Sequence, residues 1–366
     1  MILQTLKLMN FRNYQSLEIS FSPDINFITG NNGSGKTNII EAVSVISNLK
    51  SFRNISDSHI VKWGNKSYYC SGDIEKSEYE KFEVGFFNDS EKIKKKIKID
   101  GREITRASDY YGKLLTVVFS PSDINIINGA PEIRRRYIDS VISKIYPDYI
   151  DELNEFRSVL NSRNVLLKKI REGHSDSKQL NIWDRLFADK AFIIFKRRKD
   201  FIKIFNGYFK DSYSLISSEP ESPEIRYASA NFENADELYS FVQARLKEDM
   251  RKGNTGTGPQ RDDYIFHNSS LVNFNNFASQ GQRRTASISL KLAEFEIIRQ
   301  IKGKKSIILV DDIFSELDEK RRGNMIDLLR DKNQIIFTMV TTDYIKSDIP
   351  GDIKRFSVES GIIQNN

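Results

Sequence analysis

The stretch Gly30–Thr37 constrains this chain more than any other part of its sequence. Its letters, GNNGSGKT, match the Gly-x-x-x-x-Gly-Lys-Thr pattern of a phosphate-binding P-loop. The apolar run Ile25–Ile28 before it predicts a buried strand, and Ile39–Val43 after it predicts the start of a helix. Glycines let such a loop turn its N–H groups inward, and the N-terminus of the following helix attracts an anion. A glycine-rich turn without a ligand is the alternative, but the flanking strand and helix favour a nucleotide site.

The side chains of this loop suit a nucleoside triphosphate bound together with a metal ion. Lys36 has the length and charge to reach the β- and γ-phosphates, and the Thr37 hydroxyl is the kind of oxygen that holds Mg²⁺. We therefore expect ATP and Mg²⁺ here, with Lys36 acting in catalysis as well as in binding. Arg12 precedes the P-loop strand and is a candidate for a further phosphate contact, although a surface arginine is the simpler interpretation. The predicted ATP-binding residues are Gly30, Asn31, Asn32, Gly33, Ser34, Gly35, Lys36, Thr37 and Arg12.

Composition and charge narrow the classes of protein to which the chain can belong. Hydrophobic residues make up 39% and charged residues 29% of the 366 residues, which is typical of a globular protein. Since Cys70 is the single cysteine, no internal disulfide forms, and this fits a reducing cytoplasm. The sequence has no run of about 18 apolar residues, so we expect no membrane span. The net charge of +6 favours a polyanionic partner, and the sequence shows neither a cluster of metal-binding histidines and cysteines nor a serine–histidine–aspartate arrangement.

Hydrophobic periodicity divides the chain into parts of different character. Alternation predicts two short strands within residues 1–26 and a β-meander from about Ser67 to Val118. From about Glu132 the pattern becomes helical, and two helical runs separated by the polar loop Gly173–Lys178 predict an antiparallel arm. The Gly-rich segment Gly253–Gly258 is predicted to be a mobile loop, and α/β character returns after it. We therefore expect an ATPase head made of residues 1–130 and 255–366, and a helical second lobe made of residues 131–254.

A lysine-rich strand lies inside the predicted meander. Lys94, Lys96 and Lys98 share one of its faces, opposite a row of isoleucines, and Asp100–Gly101 is a hairpin signal at its end. This face suits the phosphates of nucleic acid, but lysines also protect the edge of a sheet from further pairing. The sequence leaves both interpretations open.

A pair of acids far from the P-loop is predicted to complete the nucleotide site. The run of residues 306–312 is apolar and ends in Asp311 and Asp312, as in a Walker B strand. We expect it to be a buried parallel strand that lies beside the P-loop strand. Asp311 is then placed to bind Mg²⁺, and Asp312 to polarise the water that attacks the γ-phosphate.

A serine-containing stretch lies about 30 residues before this acidic pair, at the start of a predicted helix. A serine hydroxyl and backbone amides at a helix N-terminus suit a phosphate, although a serine that only caps the helix is the plain alternative. The stretch resembles the signature motif of ATP-binding-cassette ATPases, with Ser279 and Gly281 as its key pair. By the same resemblance Asp318 takes the place of the D-loop residue, and Thr342 that of the switch residue. The predicted signature residues are Ser279, Gln280, Gly281 and Gln282.

The chain as a whole resembles the RecF family of bacterial recombination-mediator ATPases. Its paired acids support this, because relatives in the wider class usually carry Asp-Glu where RecF-like proteins carry Asp-Asp. One departure is Gln260, which stands where the family has histidine; glutamine still forms hydrogen bonds but does not titrate near neutrality, so only a structural role survives. Besides the motifs above, the stretches that carry the resemblance are Asn10–Tyr14, Phe119–Asp123, Gly129–Pro131, Arg134–Asp139 and Gly258–Asp263.

The resemblance implies a fold, ligands and partners. The fold is α/β, an ATPase head of the ATP-binding-cassette type with a mixed sheet, a β-meander and a helical second lobe. ATP would drive homodimerisation, and the protein would bind double-stranded DNA and junctions of single- and double-stranded DNA. Its partners would be RecR, with RecO and RecA in the same pathway, at single-strand gaps. The location would be the cytoplasm, with no membrane partner.

These expectations combine into a mechanism. Ser279–Gln282 of a second copy would close over the γ-phosphate, and the closed dimer would hold DNA mainly through its phosphates. Because an aspartate is one methylene shorter than the usual glutamate, Asp312 predicts slow turnover that is suited to a timer. Together with the DNA binding that the resemblance implies, this gives the expectation of a weak, DNA-dependent ATPase. Other classes fit less well: a transporter ATPase needs a membrane partner, a structural tether needs a longer arm, and a nuclease needs a second acidic metal cluster.

Overall fold

A computed structural model gives the fold of most of the chain. It describes residues 1–89, 92–217, 223–268, 273–316, 319–330, 334–341, 351–359 and 361–365. The strands among these residues are β1 Ile2–Phe11, β2 Tyr14–Ser20, β3 Ile25–Thr29, β4 Ser67–Glu75, β5 Lys81–Asn88, β6 Ile93–Ile99, β7 Arg102–Ile104, β8 Thr116–Phe119, β9 Glu224–Ala228, β10 Asp263–His267, β11 Ile307–Asp311, β12 Ile335–Met339, β13 Ile353–Glu359 and β14 Ile362–Asn365. The helices are α1 Lys36–Asn48, α2 Ile124–Asn128, α3 Pro131–Ile145, α4 Asp148–Arg171, α5 Leu180–Ile216, α6 Ala235–Ala244, α7 Leu246–Lys252, α8 Phe274–Phe277, α9 Gln280–Lys302 and α10 Glu319–Arg330.

The first sheet is antiparallel and has the strand order β2-β1-β4-β5-β6-β7. Its strands alternate between buried and more exposed residues, as in β5, where Phe82, Val84 and Phe86 are buried. One face of this sheet therefore packs on the core. Across its last two strands, Lys96 of the lysine-rich strand lies 3.6 Å from Glu103.

The predicted meander is shorter in the structure than its sequence pattern suggested. It ends with β7, and the prediction that it extends to Val118 is wrong, because β8 pairs in parallel with β11 in the second sheet. All four residues of β8 are buried. Continuous burial is typical of a parallel strand that is covered on both faces, whereas a meander strand alternates.

The second sheet has the order β14-β13-β3-β12-β11-β8. Neighbouring strands from β13 to β8 are parallel, and β14 joins the edge in the antiparallel direction. Strands β11 and β12 of this sheet are buried at every residue. The C-terminal ends of the parallel strands therefore meet at one edge, which is where such sheets place a ligand site.

Helix α1 connects the two sheets through the hydrophobic core. Its residues from Ile39 to Ser47 are all buried, so it is covered on every side rather than along one stripe. It shares a single cluster of buried residues with Leu6 of the first sheet and with Leu309 and Ile336 of the second. The loop before α1 is consequently attached to a helix that is packed into this cluster.

The chain divides into two compact units. One is formed by Met1–Ile124, Asp211–Pro220 and Arg284–Asn366, and the other by Asn125–Lys210 and Glu221–Arg283. Residues 255–283, which the sequence placed in the head, thus lie in the second unit, where β10 pairs with β9 and contacts α3. The assignment of an ATPase head and a helical lobe to particular residues stays a prediction.

Helices α4 and α5 of the second unit run antiparallel, as the polar loop between them predicts. Ion pairs follow the two helices in opposite directions: Arg163 lies 2.8 Å from Asp184, and Arg197 lies 2.8 Å from Glu152. Arg163 is fully buried and also contacts Asp249 of α7 at 2.8 Å. Breaking such a pair by removing one partner is strongly destabilising, so these contacts fix the helices relative to each other.

Candidate nucleotide-binding site

The loop between β3 and α1 has a backbone that favours glycine at two positions. The φ angles of Gly30 and Gly35 are 147° and 119°. A β-carbon on Gly30 would lie 2.3 Å from the carbonyl oxygen of Val358, and one on Gly35 would lie 2.5 Å from Nδ2 of Asn13. The loop therefore curls tightly against its neighbours and ends at the N-terminus of α1, the position at which P-loops hold phosphate.

Lys36 is buried at the base of this loop. Its Nζ donates to the carbonyl oxygens of Gly30, at 2.7 Å, and of Asn31, at 2.9 Å. Burial lowers the pKa of Lys36, and the carboxylates of Asp312 and Asp311 oppose that shift. The buried Oγ of Ser34 has no hydrogen-bond partner within the described part of the chain. A buried ammonium group held by carbonyl oxygens, beside an unsatisfied hydroxyl, fits an anionic ligand such as a triphosphate.

Asp311 and Thr37 meet at the edge of the second sheet. Asp311 accepts a hydrogen bond from Oγ1 of Thr338 at 2.8 Å. Burial raises its pKa, and hydrogen bonds from the side chains of Thr37 and Thr338 partly offset the increase. A carboxylate and a hydroxyl placed together are oxygen ligands of the kind that Mg²⁺ prefers. The structure thus brings together the two residues that the sequence predicted as metal ligands.

Asp312 occupies the turn directly after β11. Its φ angle is 48°, which is uncommon for a residue other than glycine, and its backbone N–H donates to the carbonyl oxygen of Thr338 at 3.0 Å. Burial raises the pKa of its half-buried carboxyl group, and the charge of Lys36 opposes that shift. Strained backbone of this kind often occurs at functional sites, and here it carries the predicted catalytic carboxylate.

The strand order corrects one prediction about this site. Strand β11 does not lie beside the P-loop strand β3, because β12 is inserted between them. Both β11 and β12 are short, apolar and fully buried, so the sequence contains nothing that decides which of them is the neighbour of β3. Asp311 still reaches Thr37, since its side chain extends from the same edge of the sheet.

The predicted signature residues begin helix α9. The Oγ of Ser279 accepts a hydrogen bond from the N–H of Gln282 at 3.2 Å, and the N–H of Ser279 donates to Oε1 of Gln282 at 2.8 Å. This reciprocal pair is a capping box, so Ser279 is a helix cap in the structure. Ser279 and Gln280 are exposed, which leaves them accessible to a second molecule. Asp318 and Thr342 lie outside the described residues, and their roles stay predictions.

Arg12 forms an ion pair with a buried carboxylate in the structure. Its Nε and Nη2 donate to the two oxygens of Glu41, both at 2.8 Å, and its Nη1 donates to the carbonyl oxygen of His59. Glu41 is on α1, one turn after Thr37, and is fully buried. Arg12 therefore anchors the first turns of α1, and its predicted phosphate contact stays a prediction.

Sequence reasoning missed the side chains that brace the P-loop. Asn13 Nδ2 donates to the carbonyl oxygen of Ser34 at 3.0 Å, and the Tyr14 hydroxyl donates to the carbonyl oxygen of Gly35 at 3.1 Å. Asn38 Nδ2 in turn donates to Oδ1 of Asn13 at 2.8 Å. The sequence predicted two short strands in this region and counted Asn10–Tyr14 toward the family resemblance, but it assigned no contact to Asn13 or Tyr14. The sequence held one signal of this role: the turn between the first two strands carries polar side chains for which the sequence predicted no partner.

A second missed group, around the half-buried Asp123, lies near the acidic strand. Asp123 accepts a hydrogen bond from the N–H of Ser120 at 2.7 Å, and Lys291 of α9 lies 2.8 Å from Glu294. Burial raises the pKa of Asp123 to about 6, although the charge of Lys291 and the Ser120 hydrogen bond oppose the shift. This carboxyl group can therefore change its charge in a range where ordinary aspartates do not.

Three further findings bear on the predicted classes. Within the described residues, no group of three or more histidine, cysteine, aspartate or glutamate side chains is arranged to hold a metal ion. Among the described helices, none has both the length and the apolar character to cross a membrane. Cys70 is buried, and burial raises the pKa of its thiol, so it behaves as a small apolar side chain.

Comparison with known proteins yields one family. A family model described as the RecF/RecN/SMC N terminal domain matches residues 2–358. A "DNA replication and repair protein RecF" of Clostridium kluyveri is 36% identical over 365 residues, which cover 99% of this chain and 99% of that protein. The protein of the same name from Leptospira interrogans is 35% identical over 97% of this chain and 95% of its own length.

Solved structures show the same likeness. A structure of the recombination mediator protein RecF with ATP, from the RecFOR pathway, has a TM-score of 0.91 at 31% identity and covers 100% of this chain and 97% of its own. The Smc head domain of Pyrococcus furiosus, bound to part of ScpA, has a TM-score of 0.54 at 16% identity, covering 100% of this chain and 96% of its own, and shows the fold alone. The predicted fold class, an α/β ATPase head of the ATP-binding-cassette type with a helical lobe, is confirmed.

Proposed function

This chain belongs to the RecF family of DNA replication and repair proteins, and from that premise we propose that it is an ATP-dependent DNA-binding protein of recombinational repair. ATP binding brings two copies together on DNA, and slow hydrolysis releases them. The cycle supports the loading of RecA at single-strand gaps, together with RecO and RecR, in the cytoplasm. The observation that carries the proposal is the meeting of Thr37 and Asp311 beside the buried Lys36.

Different residues of the site would bind the phosphates and the metal ion. Lys36 would exchange its two carbonyl contacts for the β- and γ-phosphates, and the N–H groups at the start of α1 would face the same oxygens. Thr37 and Asp311 would hold Mg²⁺, which supplies charge neutralisation at the phosphates when it is bound. A relative whose structure is described as RecF with ATP supports ATP as the nucleotide.

The signature residues act on the nucleotide of the other copy. Ser279 is exposed at the start of the 23-residue helix α9, so its hydroxyl and the nearby N–H groups can approach a phosphate from outside the chain. The nucleotide then becomes part of the interface between two copies. Closing that interface is the event that ATP binding drives.

Asp312 is the base of the hydrolysis step. It lies after β11 beside Lys36 and would take the proton of the attacking water. Its short side chain places the carboxylate further from the γ-phosphate than a glutamate would, and we expect turnover to be slow. A slow, DNA-dependent ATPase is suited to time the release of a clamp.

DNA contacts in the closed dimer are mainly to phosphates. The net charge of +6 supports a polyanionic partner, and such contacts are independent of sequence and weaken with salt. We propose double-stranded DNA, and its junctions with single-stranded DNA, as the substrate. Related structures are of RecF in the RecFOR pathway, which supports RecO and RecR as functional partners.

Light scattering during gel filtration tests this proposal. We expect the molar mass to double when ATP and Mg²⁺ are added, and the ATP-bound dimer to elute with duplex DNA. ADP is the matched control, since it lacks the phosphate that the second copy contacts. If the protein stays monomeric with ATP and does not bind duplex DNA, the proposal of an ATP-driven dimer that holds DNA is refuted.

A further inference from the structure

A cavity in the second unit is lined by residues of the Gly258–Asp263 motif, which has no role in the nucleotide site described above. It has a volume of about 150 Å³, and its polar wall includes Gly258, Pro259, Arg261 and Asp262. Apolar cavities of about 150 Å³ are large enough to bind a benzene ring. The cavity therefore has the size to accept one large side chain. The apolar residues lining it are Phe195, Phe232, Leu238 and Phe241.

The aromatic rings of this cavity are arranged edge to face. The centroids of Phe195 and Phe232 are 5.7 Å apart with the planes at 75°, and those of Phe232 and Phe241 are 5.5 Å apart at 62°. Such rings offer an apolar pocket but no pair of parallel faces between which a flat base would stack. This geometry favours an amino-acid side chain over a nucleobase.

Two arginines at the cavity have no carboxylate partner among the residues that the structure describes. Arg245 and Arg261 are exposed and line it, and neither guanidinium forms an ion pair with any described residue. Arg245 instead lies over the Phe241 ring, 4.9 Å from its centroid. The pKa of the nearby Glu248 is lowered mainly by its hydrogen bond from Lys252, and the charge of Arg245 adds to that shift. Other arginines of this unit, such as Arg197, are paired with acids. The cavity is thus an apolar pocket beside two exposed cations, which attract carboxylates, while the one acid in its lining, Asp262, accepts a hydrogen bond from the Tyr227 hydroxyl.

Hydrogen bonds with buried residues hold the segment that forms the polar wall in place. The Thr255 hydroxyl accepts a hydrogen bond from the buried Arg163 at 2.6 Å, and the carbonyl oxygen of Pro259 accepts one from the buried Arg198 at 2.7 Å. Asp249 Oδ1 accepts a hydrogen bond from the N–H of Gly256 at 3.0 Å. The segment that its glycines predicted to be mobile is therefore tied to a buried ionic network. Fixed walls of this kind are what a specific binding site requires.

Gln260 does not line the cavity, but it braces the segment that does. Its Nε2 donates to the carbonyl oxygen of Thr257 at 2.7 Å, which closes the loop on itself. At Gly258 the φ angle is 113°, and a β-carbon there would lie 2.7 Å from the ring of Phe187. A residue other than glycine would thus displace the wall. The motif around Gln260 shapes the cavity through these contacts.

We propose that this cavity is a docking site for a short acidic segment of a partner protein, in which one large apolar side chain enters the pocket and flanking carboxylates pair with Arg245 and Arg261. The proposal rests on the second unit alone and is independent of the nucleotide cycle. Burying one large apolar side chain contributes about 1.5–3 kcal/mol, which is enough to make that side chain decisive for binding.

Fluorescence anisotropy on the full chain tests this site. The probes are six labelled octapeptides with acidic residues around a central Phe, Tyr, Trp, Leu, Ile or Met, and a seventh with central Gly. We expect at least one of the six to bind with a Kd of about 100 µM or less, and the glycine peptide to bind at least about tenfold more weakly. Arg245→Glu and Arg261→Glu should each weaken binding by about tenfold or more.

Matched variants separate the site from general charge effects. Arg251→Glu changes an exposed arginine of the same unit that does not line the cavity, and should leave peptide binding unchanged. Arg245→Glu and Arg261→Glu should retain the ATPase rate and duplex binding of the unaltered protein, which distinguishes a failure here from a failure of the clamp. The proposal is overturned if none of the six peptides binds, if Arg251→Glu weakens binding as much as the cavity variants, or if a labelled deoxythymidine octamer binds there and the peptides do not compete.

Discussion

Lys36 and Asp311 are both removed from water, and each is stabilised by dipoles of the protein. Lys36 contacts two carbonyl oxygens, and Asp311 receives hydrogen bonds from two threonine hydroxyls. Burial lowers the pKa of Lys36 and raises that of Asp311, and both shifts favour the uncharged form of the group. Groups held in this way are suited to a ligand that brings the opposite charges, as a metal-bound triphosphate does. Both residues were predictable because their motifs are local in sequence, whereas the Glu41 partner of Arg12 was not, since nothing local links the two.

Replacing Lys36 tests the binding role of the P-loop. We expect Lys36→Ala to weaken ATP binding by roughly 100-fold or more, because hydrogen bonds from a charged donor contribute about 1.5–3 kcal/mol each. Isothermal titration calorimetry with ATP and Mg²⁺ measures the loss. Lys66→Ala, at an exposed lysine of the same unit, is the control and should bind normally. Tight ATP binding by Lys36→Ala would refute the assignment.

Asp123 predicts a pH dependence of stability. Its pKa is raised to about 6 in the folded chain, above its ordinary value of 3.8, so the folded state binds this proton more tightly than the unfolded state does. The protonated carboxyl therefore stabilises the fold below about pH 4, and this contribution is lost as the pH rises through about 6. Asp123→Asn should remove it, so that the variant becomes more stable relative to the unaltered protein between pH 4 and 7, by at most about 3 kcal/mol.

Thermal unfolding at several pH values measures this difference. Asp109→Asn, at an exposed aspartate of the same unit, is the control and should follow the unaltered protein at every pH. A constant difference between Asp123→Asn and the unaltered protein from pH 4 to 7 would show that Asp123 titrates as an ordinary aspartate.

The elements of the fold were predictable to different degrees. Alternation was sufficient to place β1 and β2, and helical spacing was sufficient to place two helical runs, of which the first contains both α3 and α4. Strand order was not predictable, because β8, β11 and β12 are equally apolar and buried, and only packing around α1 decides which of them are neighbours. The start of α9 shows a further limit: one serine serves as the cap of a helix and as a candidate phosphate ligand, and the sequence pattern is the same for both.

A cap-preserving substitution separates these two roles of Ser279. Aspartate caps a helix about as well as serine, but its charge repels a phosphate. We expect Ser279→Asp to keep the thermal stability and the ATP affinity of the monomer, and to lose ATP-dependent dimerisation. Ser279→Thr keeps a hydroxyl and should still dimerise. If Ser279→Asp dimerises normally with ATP, Ser279 acts only as a cap.

At the scale of the whole molecule, the P-loop and the signature residues belong to different compact units. Lys36 and the acidic pair lie in the first unit, and Ser279–Gln282 lie at the end of the second. The lobe boundary that the sequence predicts at residue 255 falls between β9 and β10, and the pairing of these two strands had no local sign in the sequence. In the proposed cycle, the P-loop of one copy and the signature residues of a second copy form one nucleotide site that the two copies share.

Mixing two inactive variants tests that claim most directly. Asp312→Asn should bind ATP and dimerise without hydrolysis, and Ser279→Ala should bind ATP without dimerising. In a mixed dimer one site combines the intact P-loop and Asp312 of one copy with the intact Ser279 of the other. We therefore predict that the mixture, but neither variant alone, hydrolyses ATP in the presence of duplex DNA. A mixture that remains as inactive as its components would contradict a site shared between two copies.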